Sequence, residues 1–218
     1  MVKHIHFIGI GGIGVSGLAQ LALTRGDCVS GSDAKESVIT RKLESLGAKI
    51  FIGHAKENLG EVELVVYSSA IRFDNPEIVE ARKRSISIQR RAEFLSSLME
   101  CKTVITVTGA HGKTTTSSLA GKLLLAAGLT PTVVVGGILR EDGDNVKAGE
   151  SSYFVAEADE SDGTFLCYNP DYSIITNIDD EHMDFYKTYD NLLKSFSRFI
   201  AQTKNGGCVF YCAEDYRR

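Results

Sequence analysis

Val104-Ile105-Thr106-Val107-Thr108-Gly109-Ala110-His111-Gly112-Lys113-Thr114-Thr115 is an apolar, β-type run that breaks into glycine and then opens a helical stretch. Strand, glycine loop, lysine-threonine and helix, in that order, are the context a phosphate loop requires. Gly109 and Gly112 let the backbone turn its N–H groups inward around phosphate oxygens, and the helix start adds partial positive charge. The expected ATP-binding residues are therefore Gly109, Ala110, His111, Gly112, Lys113, Thr114 and Thr115. Lys113 would reach the β- and γ-phosphates, and Thr114 would offer its hydroxyl to Mg²⁺. The position five before Gly112 is Val107, where the common G-x-x-x-x-G-K-[ST] pattern has glycine, so the loop is a shortened variant. A structural turn is the competing reading, because a bare Gly-Lys-Thr recurs by chance. The strand, loop and helix standing in register favour ATP.

On both sides of this loop, short runs rich in Val and Ile alternate with amphipathic stretches, the pattern of parallel sheets covered by helices. The fold class is α/β. Upstream, strands are expected at 3–9, 28–32, 49–52 and 64–68, with helices at 12–25, 38–46 and 76–84 and Pro76 in the first turn of the last. A helix at 92–100 leads into the phosphate-loop strand at 103–108. Downstream come strands at 132–135, 153–157, 172–176 and 207–211, helices at 113–127 and 191–202, and a loop or short hairpin at 136–150. A boundary near Cys101 gives two domains, a Rossmann-like parallel sheet over 1–101 and a phosphate-loop α/β domain over 102–218 whose sheet looks unfinished.

A second glycine device follows the first strand. Gly9-Ile10-Gly11-Gly12-Ile13-Gly14-Val15-Ser16-Gly17 contains the G-x-G-x-x-G spacing twice, from Gly9 and from Gly12. Such a turn brings a diphosphate close to the backbone at the N-terminus of the next helix. Asp33 ends the second strand, where a ribose hydroxyl would be recognised. Taken alone, the pattern fits a dinucleotide or a nucleotide-sugar, and a glycine turn for packing is the plain alternative. Nicotinamide-dependent oxidoreduction would use the first loop but leaves the second unexplained. Two phosphate devices in series point to two phosphorylated substrates, with ATP at the second.

Glu157-Ala158-Asp159-Glu160-Ser161-Asp162 and Thr176-Asn177-Ile178-Asp179-Asp180-Glu181-His182-Met183-Asp184 each follow an expected strand. Parallel strands would bring both to the rim that holds Lys113, the edge where open α/β sheets bind ligands. Oxygen donors with one histidine suit Mg²⁺ or Mn²⁺ better than zinc. Most of these acids read as solvated loop residues. Glu157 stands apart, because it ends the apolar strand Tyr153-Phe154-Val155-Ala156, where an unpaired carboxylate is costly and a metal would explain it. His182 is open between a structural and a functional role.

Composition excludes other classes. A net charge of −4 and a pI near 5.8 leave no basic stripe for nucleic acid. Arg82-Lys83-Arg84 and Arg90-Arg91 read as solvated faces. The five scattered cysteines, with no C-x-x-C pair, read as reduced thiols of a cytoplasmic protein, Cys208 and Cys212 serving packing. No signal segment or membrane-length apolar run is visible, so a soluble, unexported protein without a membrane partner is expected.

The motifs converge on one family. The sequence resembles the Mur ligases over residues 4–19, 29–33, 67–71, 75–77, 91–95, 106–119, 156–165 and 176–184. Members that reattach recycled peptides look less similar around the first glycine loop. The resemblance implies that the first domain binds UDP-N-acetylmuramate, with Gly11, Gly12, Ile13 and Gly14 at the diphosphate and Asp33, His54 and Ser69 as further contacts. It also implies that Lys113 and Thr114 serve ATP and Mg²⁺, that Glu157 ligates the same metal, that His182 ligates a second, and that Asn177 sits beside the sugar substrate. Lys113, Glu157 and His182 would then be the catalytic residues of an ATP-dependent ligase joining L-alanine to the lactyl carboxylate. The family continues through the rest of the central domain into a C-terminal domain that helps bind ATP and the amino acid. The expectation for 1–218 alone is little ligase activity, and a catalytically silent nucleotide-binding fragment is the second reading.

Overall fold

The computed structural model describes residues 2–137 and 144–213. The chain divides into two compact units, Met1–Leu95 and Ser96–Arg218, each an α/β layer structure.

The first unit is built on strands β1 (His4–Ile8), β2 (Cys28–Asp33), β3 (Lys49–Ile52), β4 (Leu64–Tyr67) and β5 (Ser87–Arg90), with helices α1 (Ile13–Thr24), α2 (Val38–Ser45), α3 (Pro76–Lys83) and α4 (Arg91–Leu98). The strands pair in parallel in the order β3-β2-β1-β4-β5. From β1 the chain moves to one side for β2 and β3, then to the other for β4 and β5. The reversal opens a crevice at the carboxyl end of β1, the place where doubly wound sheets take ligands. All four residues of β4 are buried, as a strand covered on both faces requires. In α1, Val15, Leu18, Ala19 and Ala22 are buried at helical spacing and hold the helix against the sheet.

Caps set where the helices begin. Ser37 and Thr40 form a reciprocal capping box at α2. Asn75 accepts the Glu77 N–H at α3 (2.9 Å), with Pro76 in the first turn as its sequence predicts. β5 was not foreseen. Ser87-Ile88-Gln89-Arg90 has one apolar residue and forms an edge strand, half covered at its centre; the alternation of Ile86 and Ile88 was its only signal.

The second unit contains β6 (Thr103–Thr108), α5 (Lys113–Ala126), β7 (Thr132–Val134), β8 (Val146–Lys147), β9 (Tyr153–Glu157), β10 (Tyr172–Ile175), α6 (Met183–Tyr186), α7 (Tyr189–Ala201) and β11 (Cys208–Tyr211). The order is β11-β10-β6-β9-β7-β8, parallel except for β8 against β7. β8 is the far side of the hairpin expected at 136–150, and 138–143 lie outside the described residues. The four-residue α6 is too short to show a period in sequence. In α7, Leu192, Phe196 and Phe199 are buried at i, i+4 and i+7. Phe196 and Phe199 pack on Phe165 at centroid distances of 5.4 and 5.0 Å. Each such buried ring contributes about 2 kcal/mol, enough to fix the segments that carry the acidic cluster.

All five cysteines are thiols. Cys208 and Cys212 are exposed, so the packing role expected for them does not hold; β11 is an edge strand with mostly exposed side chains. Among the described residues, no helix is long and apolar enough to cross a membrane.

Candidate functional site

The phosphate loop leaves the central strand β6 between β9 and β10. Strand register brings the acidic segments beside it: Val107 is level with Glu157 and Thr108 with Ile175. Gly109 takes φ +128, and a Cβ there would stand 2.3 Å from Thr176 Oγ1 and 2.6 Å from Asn177 O. Only glycine fits so close an approach. Asn177 then clamps the loop backbone. Its Oδ1 accepts the His111 N–H (2.9 Å), its Nδ2 donates to His111 O (3.0 Å), and its carbonyl accepts the Ala110 N–H (3.2 Å). Asn177 thereby braces the phosphate loop.

Lys113, the first residue of α5, points back into its own loop. Its Nζ donates to Gly109 O (2.7 Å), Ala110 O (3.2 Å) and Glu160 Oε1 (2.9 Å). Thr114 donates its hydroxyl to Glu157 Oε2 (2.8 Å), which also accepts the Gly136 N–H (2.8 Å). Glu157, which its strand position marks as a carboxylate in need of a metal, is half-buried and hydrogen-bonded, so it needs no metal to be satisfied. The donor set still fits Mg²⁺. Thr114 Oγ1 and Glu157 Oε2 are hard oxygens at 2.8 Å, close to the roughly 3 Å edge of an Mg²⁺ octahedron.

The buried acid of the segment is Glu160, which sequence reasoning left among the solvated ones. It is 2% exposed, and its Oε2 has no hydrogen-bond partner. Glu160, Glu181 and His182 bring ligand atoms within 4.8 Å of one another, with His182 Nε2 3.6 Å from Glu160 Oε1. His182 holds a left-handed backbone (φ +58, ψ +33) at the start of α6, a conformation uncommon outside glycine. Tyr186, on the same short helix, donates its hydroxyl to the Glu160 carbonyl. Burial and then the carboxylates of Glu160, Asp162 and Asp159 push that phenol up to about 12, which keeps it a neutral donor. Charge and burial mark Glu160; its spacing in the sequence does not.

The first glycine loop sits at the crevice of the other unit. Gly9 and Ile10 donate to Ser32 O (2.8 and 3.0 Å), and Gly12 donates back to Gly9 O (3.1 Å). Asp33 Oδ2 accepts the Gly11 N–H at 2.9 Å, and a Cβ on Gly11 would stand 2.9 Å from that same oxygen. Gly12 and Ile13 are exposed, and Gly14 is half-buried. His54, two residues beyond β3, and Ser69, exposed just beyond β4, lie at the carboxyl ends of their strands on the same rim. From the sequence, Arg91 is expected to be solvated together with Arg90. It is half-buried instead, its Cδ 3.0 Å from where a Cβ would stand on Gly14.

Beneath this rim lies a polar cluster centred on Glu77, fully buried near the start of α3. Ser32 Oγ donates to Glu77 Oε2 (2.6 Å) and Asn58 Nδ2 to Oε1 (2.7 Å), while His54 Nδ1 stands 3.1 Å from Oε2 and 3.0 Å from Ser32 Oγ. The buried His6 meets Ser30 Oγ through Nδ1 (2.9 Å) and faces Glu77 Oε1 from 3.6 Å. That last distance is beyond a hydrogen bond, so the His6 contribution is electrostatic. Burial pushes the Glu77 carboxyl up, but His6, Ser32 and Asn58 together pull harder and bring it down to about 2. In the sequence, Glu77 looks like an ordinary first-turn helix acid.

Comparisons with known proteins give the family. "Mur ligase family, catalytic domain" matches residues 4–103, and "Mur ligase middle domain" matches 107–218. A UDP-N-acetylmuramate--L-alanine ligase of Pelotomaculum thermopropionicum is 50% identical over 99% of this chain and 47% of its own length. That of Aquifex aeolicus is 51% identical over 91% and 44%. The chain thus spans about half the length of the curated relatives it matches. Among solved structures, a UDP-N-acetylmuramate-alanine ligase from Thermotoga maritima superposes with a TM-score of 0.87 at 34% identity, over 98% of this chain and 50% of that one. A UDP-N-acetylmuramate:L-alanyl-gamma-D-glutamyl-meso-diaminopimelate ligase from Neisseria meningitides also reaches 0.87, at 28% identity over 98% and 72%. Two family descriptions over nearly the whole length, joined to a phosphate loop flanked by two strands that lead into acidic segments, establish that the chain belongs to the Mur ligase family.

Proposed function

We propose that this chain carries the UDP-sugar unit and most of the ATP-binding unit of a ligase that joins L-alanine to UDP-N-acetylmuramate. The observation that carries the reading is the grouping of Lys113, Thr114, Glu157, Glu160 and His182 at one sheet edge. The relatives at about 50% identity that bear this activity in their names support the choice of amino acid.

In this reading the first unit takes the UDP moiety, its diphosphate over Gly11, Gly12, Ile13 and Gly14 and its nucleoside near Asp33, His54 and Ser69. The second takes ATP along Gly109 to Thr115. Lys113 exchanges Glu160 for the β- and γ-phosphates and neutralises charge on the transferring phosphoryl group. A lactyl carboxylate oxygen attacks the γ-phosphorus, the β–γ bridge P–O bond breaks, and ADP leaves with an acyl phosphate formed. The amine of L-alanine then adds to the acyl carbon, and the tetrahedral intermediate expels phosphate as the nitrogen loses its proton. Thr114 and Glu157 would hold one Mg²⁺ and His182 a second; when bound, these supply charge neutralisation on phosphate and acyl oxygens. Asn177 keeps the loop in shape beside the acceptor. A reaction consuming ATP and a UDP-linked sugar belongs in the cytoplasm.

Phosphate release measured on this chain beside a longer version tests the reading. Alanine-dependent release is expected from the longer chain and little from 1–218. Normal alanine-dependent release from 1–218 alone would overturn the division of labour. The second reading, a silent nucleotide-binding fragment, is favoured by the Lys113–Glu160 pair, which leaves the loop satisfied without a ligand. It predicts that 1–218 binds UDP and ADP with no turnover at all.

A further inference from the structure

The polar cluster under the first rim is larger than packing needs. A fully buried carboxylate, Glu77, is surrounded by four donor-bearing side chains from β1, β2, the segment after β3 and the turn that follows. Three of the four, Ser32, His6 and Asn58, have their other contacts inside the protein: Ser32 with His54, His6 with Ser30, and Asn58 with the Gly53 carbonyl (3.0 Å). His54 differs. Its side chain is 21% exposed, and both of its hydrogen-bond contacts are made through Nδ1.

The hydrogen-bond pattern assigns the proton on that ring. Ser32 Oγ donates to Glu77 Oε2, so toward His54 it offers only a lone pair, and the carboxylate offers only lone pairs. Nδ1 therefore carries the hydrogen, shared between Ser32 Oγ at 3.0 Å and Glu77 Oε2 at 3.1 Å. In the neutral ring this leaves Nε2 as the acceptor. Backbone geometry holds the ring at the rim: Gly53, just before it, donates to the carbonyl of Asp33, whose side chain holds the glycine loop.

We infer that Glu77 is a positioning residue for nucleoside recognition, holding His54 with Nδ1–H inward so that Nε2 accepts a hydrogen bond from the bound UDP moiety. The inference rests on the proposed UDP-sugar role of the first unit. It adds what that role lacks, a buried group that selects for a hydrogen-bond donor on the ligand. The uracil imide N–H and a ribose hydroxyl share that donor chemistry. CDP keeps the ribose and lacks the imide N–H, so a comparison of UDP with CDP separates the two sources.

Two measurements on the full 218-residue chain test it. Nitrogen-15 spectra of the histidine rings, with His54→Ala for assignment, should show His54 protonated on Nδ1 and bare on Nε2; the opposite tautomer would overturn the inference without any variant of Glu77. Calorimetric titration with UDP should show Glu77→Gln weakening binding roughly tenfold, about the worth of one hydrogen bond held in place. In the His54→Ala background the same change should have no further effect. An equal loss in both backgrounds would reduce Glu77 to a structural role and sink the proposal. If the unaltered chain failed to bind UDP at all, the site reading itself would fall, while the tautomer would still be seen.

Discussion

The two glycine loops use the same strand-turn-helix device and arm it differently. Around the first, the backbone is pinned by Ser32 O and by the Asp33 carboxylate, and the loop itself contains no charged side chain. Around the second, the loop carries its own cation, and that cation is already paired with a buried carboxylate, Glu160. The first loop is therefore shaped by groups outside it and presents backbone to a ligand. The second is a closed electrostatic unit that a ligand must enter by exchange. Glycine spacing alone does not distinguish them; the charge beside each one does.

The largest expected effect tests how tightly each loop is held. Gly109→Ala places a methyl against Thr176 and Asn177 at φ +128, and should cost about 4 kcal/mol in urea unfolding from strain and overpacking combined. Gly12→Ala has its nearest neighbour at 3.3 Å and an ordinary backbone (φ −70), so under about 1 kcal/mol is expected. UDP binding should still fall, because the methyl occupies the approach to the backbone. Equal destabilisation at both positions would break the comparison.

Acid should expose the cluster beneath the first loop. Glu77 has a folded pKa of about 2 against an ordinary 4.5, so its contribution is present in full above pH 4.5 and is lost as pH falls toward 2. The shift corresponds to on the order of 3 kcal/mol. Unfolding free energies at pH 6, 4 and 3 should fall accordingly, and Glu77→Gln should flatten that slope. An unchanged slope in the variant would show that other carboxylates govern the acid limb.

Lys113→Ala separates the loops by ligand. ADP affinity should fall about a hundredfold as the phosphate loses its charged donor, with UDP affinity unchanged. Loss of both ligands together would mean that the two loops do not serve separate nucleotides. A small effect is also expected at Asp33. Asp33→Ala leaves the Gly11 N–H without its partner and should cost about 1 kcal/mol, whereas Asp33→Asn keeps an acceptor oxygen and should cost less. A calorimetric scan of both variants distinguishes the two.

Local physics made much of this legible. Buried parallel strands announce themselves as continuous apolar runs, so β1, β4, β6 and β9 stand close to where their residues predict. β5 and α6 escaped because an edge strand with one apolar side chain and a single helical turn carry almost no periodic signal. At the second loop, Lys113, Thr114 and Glu157 do lie together, but burial does not force a metal on Glu157: Thr114 and Gly136 satisfy it. The acid that is buried, Glu160, stands three residues on, outside the strand, in a segment whose composition reads as solvated.

By itself, the sequence determined the α/β class, the two strand–glycine–helix loops, the family and the rim on which the candidate groups gather, because strand pattern and glycine chemistry act over a few residues. Tertiary structure decided which charges are buried and with whom they pair. Glu77 with His54 and Ser32, Glu160 with Lys113, and Asn177 across His111 join residues 23 to 66 positions apart. A carboxylate's charge state and partners depend on the solvent it has lost and the donors brought to it, and packing of distant segments sets both.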